Sequence, residues 1–254
     1  MFAKSRRKQL LSAVLFVSFV ISYLCPAELY SDSSAIIPHK GMCYATWEQE
    51  KFSSEHSDES LARLSALGTD HISLIVTRYQ ERYNSTKIVS NERTPSDKSL
   101  LHAAKTAHKL GLTVMLKPHI DLIEKGDGTY WRADIGFNSA EDWEEWFKEY
   151  RKMIVHYAKL ADKMEAEIFC VGTELSFTSQ KKEEWLRIIS EVREVFSGKL
   201  VYAANWDEFK NIEFWDKLDY VGIDAYFPLS YSPNPEVEDL KRGWEKWKLE
   251  LRDW

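Results

Sequence analysis

Glu174 is the residue in this chain best placed to do chemistry. Residues 168–175 read IFCVGTEL, an apolar run that ends abruptly in one carboxylate. An acid in a partly apolar site, with a second carboxylate nearby, has its pKa raised and can serve as a general acid/base. The bland alternative is a rim Glu paired with Lys or Arg. Lys117, His119 and Asp121 sit together in LKPHIDL. They are either hydroxyl-binding groups or the furniture of a Pro-fixed turn with Asp as its cap. Asp224 interrupts YVGIDAYFPL, where a charge must be satisfied by partners. It is a network member or a ligand contact, and Tyr226 could orient a carboxylate through its hydroxyl. Trp131 and Arg132 lie in a glycine-bearing loop, GDGTYWRADIGF. Trp131 there, and Trp206 further on, could offer flat platforms for sugar rings, with Asp, Asn and Arg bonding the hydroxyl rims. A Trp that only closes a loop core fits each position equally well.

The elements that must position these groups alternate. Short apolar runs fall at 41–45, 71–77, 112–117, 167–173, 199–204 and 220–224. Between and after them come amphipathic stretches at 58–67, 94–110, 139–164, 181–196, near 207–217 and from 237 onward. Gly68 and Gly111 stop the first two helices, and Pro118 is expected to close the third strand. In the long helix Trp143, Trp146, Phe147, Tyr150, Ile154, Tyr157, Ala158 and Ala161 recur at helical spacing. Six βα units in strict alternation predict a parallel sheet with helices outside. No GxGxxG follows the first strand, so a nucleotide-binding doubly wound sheet loses support. Polar and aromatic residues instead gather at the C-terminal ends of strands: Trp47, Tyr79, His119, Asp121, Glu174, Asn205, Trp206, Asp224 and Tyr226. That distribution predicts the active face of a (β/α) barrel.

Composition bounds the rest. The chain has 254 residues, 44% of them hydrophobic, enough for one sizeable domain or two small ones. The segment 1–27 reads as a signal for export, with Lys4, Arg6, Arg7 and Lys8 before an apolar stretch at 10–24 and small residues permitting cleavage after Ala27. A retained anchor or lipid attachment at Cys25 is the alternative, although Leu24 is bulkier than such sites favour. That segment holds four of the 34 basic residues and no acid, which leaves 30 bases against 40 acids. The balance argues against nucleic acid or an anionic membrane as partner. Cys43 and Cys170 lie in strand-like runs and are expected to be buried free thiols. No metal-binding cluster, cofactor motif, GxSxG, Walker A or HExxH is present.

Together these segments resemble glycoside hydrolase family 113, retaining endo-β-1,4-mannanases with a (β/α)8 barrel. The resemblance rests on GMCYATW (41–47), ISLIVTRYQ (72–80), LKPHID (116–121), WRADIGF (131–137), HYAKLAD (156–162), FCVGTELS (169–176), YAANW (202–206) and FWDKLDYVGIDAYFPLS (214–230). It implies a catalytic domain over 28–254 with only the first six βα units of a TIM-type barrel. It implies Glu174 as acid/base, and a sugar cleft lined by Trp47, Lys117, His119, Asp121, Arg132, Asn205, Trp206, Asp224 and Tyr226, acting on a β-linked polysaccharide without cofactor. The family's nucleophile is a Glu at the end of a seventh strand, beyond Trp254. The expectation is therefore an incomplete, poorly stable and inactive copy whose first and sixth strands expose unpaired edges. A non-catalytic polysaccharide-binding remnant and a surface-anchored adhesion protein are the competing functions.

Overall fold

A computed structural model describes residues 39–254. The expected signal at 1–27 lies outside them. Six strands form one all-parallel sheet in sequence order. They are β1 (Gly41–Tyr44), β2 (His71–Gln80), β3 (Thr113–Leu122), β4 (Ile168–Thr173), β5 (Lys199–Asn205) and β6 (Tyr220–Asp224). Helices α1 (Glu55–Ala66), α2 (Asp97–Lys109), α3 (Ala140–Lys163) and α4 (Lys182–Arg193) connect the first five strands, and α5 (Val237–Asp253) follows β6. The sheet curls into a partial (β/α) barrel in which β1 and β6 are the two ends. Among the described residues no helix is long and apolar enough to cross a membrane.

Local chemistry sets the helix limits. Ser54, Ser96 and Ser139 cap α1, α2 and α3 by accepting the backbone N–H three residues on. The first helix thus starts at Glu55, one turn earlier than its apolar pattern suggests. Gly68 and Gly111 follow α1 and α2 with positive φ, 85° and 76° respectively. This is the left-handed C-terminal stop that glycine adopts without strain.

The core lies between the outer face of the sheet and the helices. Trp146, Tyr150, Tyr157, Trp185, Tyr202 and Phe214 are all but fully buried there. Each such ring removes enough apolar surface to contribute about 4–6 kcal/mol before chain entropy is counted. Their polar tips are satisfied: Trp146 Nε1–H donates to Gln80, Tyr150 O–H to the Val171 carbonyl, and Trp185 Nε1–H to the Thr178 carbonyl. The concave side of the sheet holds a smaller cluster of Cys170, Val201 and Ala203 with Met115 and Ile168.

Two sequence expectations need correction. Pro118 does not close β3, which runs on to Leu122. Val114 turns its N–H and C=O toward Glu167 on the β4 side, so Leu116 and Pro118, two and four residues on, face the same way. The β3–β4 ladder ends at the Leu116–Phe169 pair, so the missing N–H of Pro118 interrupts nothing. Cys43 is exposed, although Cys170 is buried as expected. Among the described residues β1 has a neighbour on one side only, and Gly41, Met42 and Cys43 are all exposed along it.

Candidate active site

The extension of β3 past Pro118 makes the site. Lys117, His119 and Asp121 occupy alternate positions on that strand, so all three side chains stand on one face. They line a pocket of about 330 Å³ with Cys43, Ala45, Trp47, Ile75, Thr77, Arg132, Glu174, Asp224 and Tyr226. Eight of the eleven residues put forward for catalysis or sugar contact meet there.

Arg132 organises one wall. A short 3-10 turn, Arg132–Asp134, follows Trp131, and Asp134 accepts the Trp131 backbone N–H at 2.9 Å. The guanidinium then reaches three partners. Nη1 donates to Glu174 Oε2 at 3.0 Å and lies 3.3 Å from His119 Nδ1, and Nη2 donates to Asp121 Oδ1 at 2.8 Å. Arg has only donors, so His119 Nδ1 is the acceptor and its proton sits on Nε2. Burial, with Arg132 and Lys117 adding positive charge, pushes the imidazole well below the usual histidine range. His119 is therefore neutral, and its buried Nε2–H has no partner among the described residues.

Lys117 and Asp224 form the other wall. Lys117 Nζ lies 3.2 and 3.3 Å from the two Asp224 carboxylate oxygens. Burial disfavours the ammonium, but Cys170 and Asp224 outweigh it and hold the Lys117 pKa above the usual lysine value. The Cys170 thiol is itself raised by burial, so the carboxylate 3.2 Å from Lys117 Nζ is the partner that counts.

Glu174 stands between these walls at the end of β4. Burial raises its carboxyl above the usual glutamate value, Arg132 pulls the other way, and Asp224 adds to the rise. Its backbone φ is positive, 52°, which is left-handed for a residue with a Cβ. The strand approaches this point through a register shift between Cys170 and Thr173. A Cβ on Gly172 would lie 2.5 Å from the Trp185 ring and 2.7 Å from the Tyr202 ring. Only glycine, with no Cβ, fits there. The kink swings Glu174 off the strand and into the pocket.

Three candidates stand elsewhere. Trp131 is part-exposed and is absent from the pocket lining. Asn205 is buried and spends its side-chain amide on Asp207 at 2.8 Å. Trp206 packs edge-on against Trp247 of α5 at 5.7 Å, the loop core foreseen as its alternative. Trp47 and Tyr226 reach the pocket but are 59% and 79% exposed, so they edge its mouth. One residue went unnoticed in the sequence. Glu208 is 2% exposed behind the site, and its spacing from Asn205, whose N–H it accepts at 2.9 Å, was the available signal. Among the described residues no group of three or more His, Cys, Asp or Glu could hold a metal ion.

A partial (β/α) barrel that gathers carboxyls and a cation at its strands' C-terminal ends has the arrangement of a barrel enzyme's active face. The family model described as Glycoside Hydrolase Family 113 matches residues 42–253. The chain belongs to that family. Among solved structures it is similar to a GH113 β-1,4-mannanase in complex, at 26% identity and TM-score 0.71, over 85% of this chain and 68% of that one. It is also similar to the GH113 β-mannanase AaManA from Alicyclobacillus acidocaldarius in complex with ManMIm, at 29% identity and TM-score 0.70, over 82% and 67% of the two chains. Comparison with curated proteins gave no match.

Proposed function

We propose that this site is built for retaining hydrolysis of β-1,4-linked mannan-type polysaccharide, and that Glu174 is its acid/base. The observation that carries this is the raised, Arg132-bonded carboxyl of Glu174, turned into the pocket by a left-handed backbone. Protonated Glu174 gives its proton to the glycosidic oxygen as the C–O bond breaks. The resulting carboxylate then takes a proton from the water that releases the sugar. Arg132 stabilises that carboxylate between the two steps. The neutral His119 has a free Nε2–H, and Asp121, Asp224 and Lys117 offer further groups for sugar hydroxyls. Trp47 and Tyr226 offer ring faces at the mouth. Similarity to two β-mannanase structures supports mannan as the polymer.

A retaining mechanism needs a second carboxyl about 5–5.5 Å from the first. The pocket's two others are ion-paired, Asp121 to Arg132 and Asp224 to Lys117, and neither is read as that second carboxyl. We therefore place the nucleophile outside residues 39–254. Without it the chain binds the polymer and does not cleave it. The test is β-mannan hydrolysis by the 254-residue chain, with no turnover expected above a Glu174→Gln variant. Turnover that the variant abolishes would put the nucleophile within the chain.

Export is part of the same proposal, supported by the basic and apolar pattern of residues 4–24. Mass spectrometry of the exported protein should find an N-terminus near Glu28. Intact Met1 in the membrane fraction would mean an anchor instead.

A further inference from the structure

We infer that Tyr202 and Glu208 are positioning residues for Glu174, a role that rests on reading Glu174 as the acid/base. Neither touches the pocket. Tyr202 is fully buried on β5, and Glu208 is 2% exposed in the turn that follows. The Leu175 N–H, next in the chain after Glu174, donates to the Tyr202 hydroxyl at 2.9 Å. That hydroxyl donates to Glu208 Oε1 at 2.6 Å, and Glu208 Oε2 accepts the Asn205 N–H at 2.9 Å. One buried carboxylate thus ties the residue after Glu174 to the end of the neighbouring strand.

The tie is needed because the backbone at Glu174 is unfavourable. A left-handed residue with a side chain costs about 1–2 kcal/mol and persists only where its surroundings over-determine it. Two hydrogen bonds bracket it. The Glu174 N–H donates to the Ala203 carbonyl at 2.8 Å, and the Leu175 N–H goes to Tyr202. The first is the bond β4 would make as a strand. The second is one a strand could not make, and it fixes the chain after the kink. Direction along the relay is forced: the Leu175 N–H occupies the phenol oxygen as donor, so the phenol proton goes to Glu208. An ionised Glu208 accepts it together with the Asn205 N–H. Burial holds the Glu208 carboxyl above the ordinary glutamate value, and these bonds offset only part of that rise. The same fixed charge adds to the rise at Glu174.

Tyr202→Phe removes the relay at both ends, the acceptor for Leu175 and the donor to Glu208. The midpoint of Glu174 in the full 254-residue chain can be read by carboxyl ¹³C NMR, assigned against Glu174→Gln. It should fall toward the ordinary glutamate value in Tyr202→Phe, because the carboxyl leaves its buried place. Tyr150→Phe is the control, since it deletes an equally buried tyrosine bond to β4, at Val171, without touching Leu175. It should leave the Glu174 midpoint where it is. An unmoved midpoint in Tyr202→Phe, or an equal fall in both variants, overturns the inference. If Tyr202→Phe does not fold, hydrogen exchange of the unaltered chain decides. The Leu175 amide should exchange as slowly as the core of β4, and fast exchange at Leu175 alone overturns the relay. Both readouts need no substrate, so failure of the mannan proposal would leave them standing.

Discussion

Arg132 Nη1 donates to Glu174 Oε2 at 3.0 Å while Nη2 of the same guanidinium holds Asp121 at 2.8 Å. The proposed acid therefore rests against a fixed cation. Burial raises its pKa, and Arg132 is the largest influence opposing that rise. The balance suits a group that must hold a proton in one step and release it in the next.

Arg132→Met removes the opposing influence and retains much of the side chain's bulk. The Glu174 midpoint, read by carboxyl NMR, should rise above its value in the unaltered chain. A fall would mean that Arg132 contributes more to burying Glu174 than to stabilising its charge.

Lys117→Met leaves Asp224 without its cation. Removing one partner of a buried pair typically costs about 3–5 kcal/mol. The Asp224 side chain is 24% exposed. Water therefore recovers part of that cost, and the low end, about 3 kcal/mol, is expected. Urea denaturation measures it. A loss below about 1 kcal/mol would place this pair with ordinary surface ion pairs.

The raised carboxyls set a pH dependence. Glu174 and Glu208 both have pKa values above the ordinary glutamate value in the folded chain. Between the ordinary and the raised values the folded chain binds more protons than the unfolded one, so stability falls as pH rises through that window. Glu174→Gln lacks one of these groups. Its stability relative to the unaltered chain should therefore improve as pH rises through the window and level off above it. Thermal unfolding across a pH series checks this, and a variant that loses stability relative to the unaltered chain as pH rises contradicts the assigned direction.

The strands and helices were readable because apolar runs and Ser or Gly caps act locally. Ser96 and Gly111 bound α2 as their chemistry dictates. Pro118 reads as a strand stop because its effect depends on which side of β3 it faces and where the β4 ladder stops, and neither is local. Cys43 was misread because an apolar run does not reveal which strand ends the sheet. At the site, Lys117, His119 and Asp121 carried their alternate spacing openly. Trp206 and Asn205 sat at an equally suggestive strand end, yet one packs on Trp247 and the other bonds Asp207. Glu208 was missed because its partners, Tyr202 and the segment after Glu174, meet it only when β4 and β5 pair.

Chemical rescue tests the central claim most directly. Azide is a small anion that can take the place of a missing carboxylate nucleophile. It attacks the anomeric carbon, the glycosidic bond breaks, and the leaving oxygen takes the Glu174 proton. The 254-residue chain should release no sugar from a β-1,4-manno-oligosaccharide alone. It should release a mannosyl azide when azide is added, and Glu174→Gln should not. Turnover without azide that the variant abolishes, or equal rescue in both chains, would contradict an acid/base at Glu174 whose nucleophile lies outside residues 39–254.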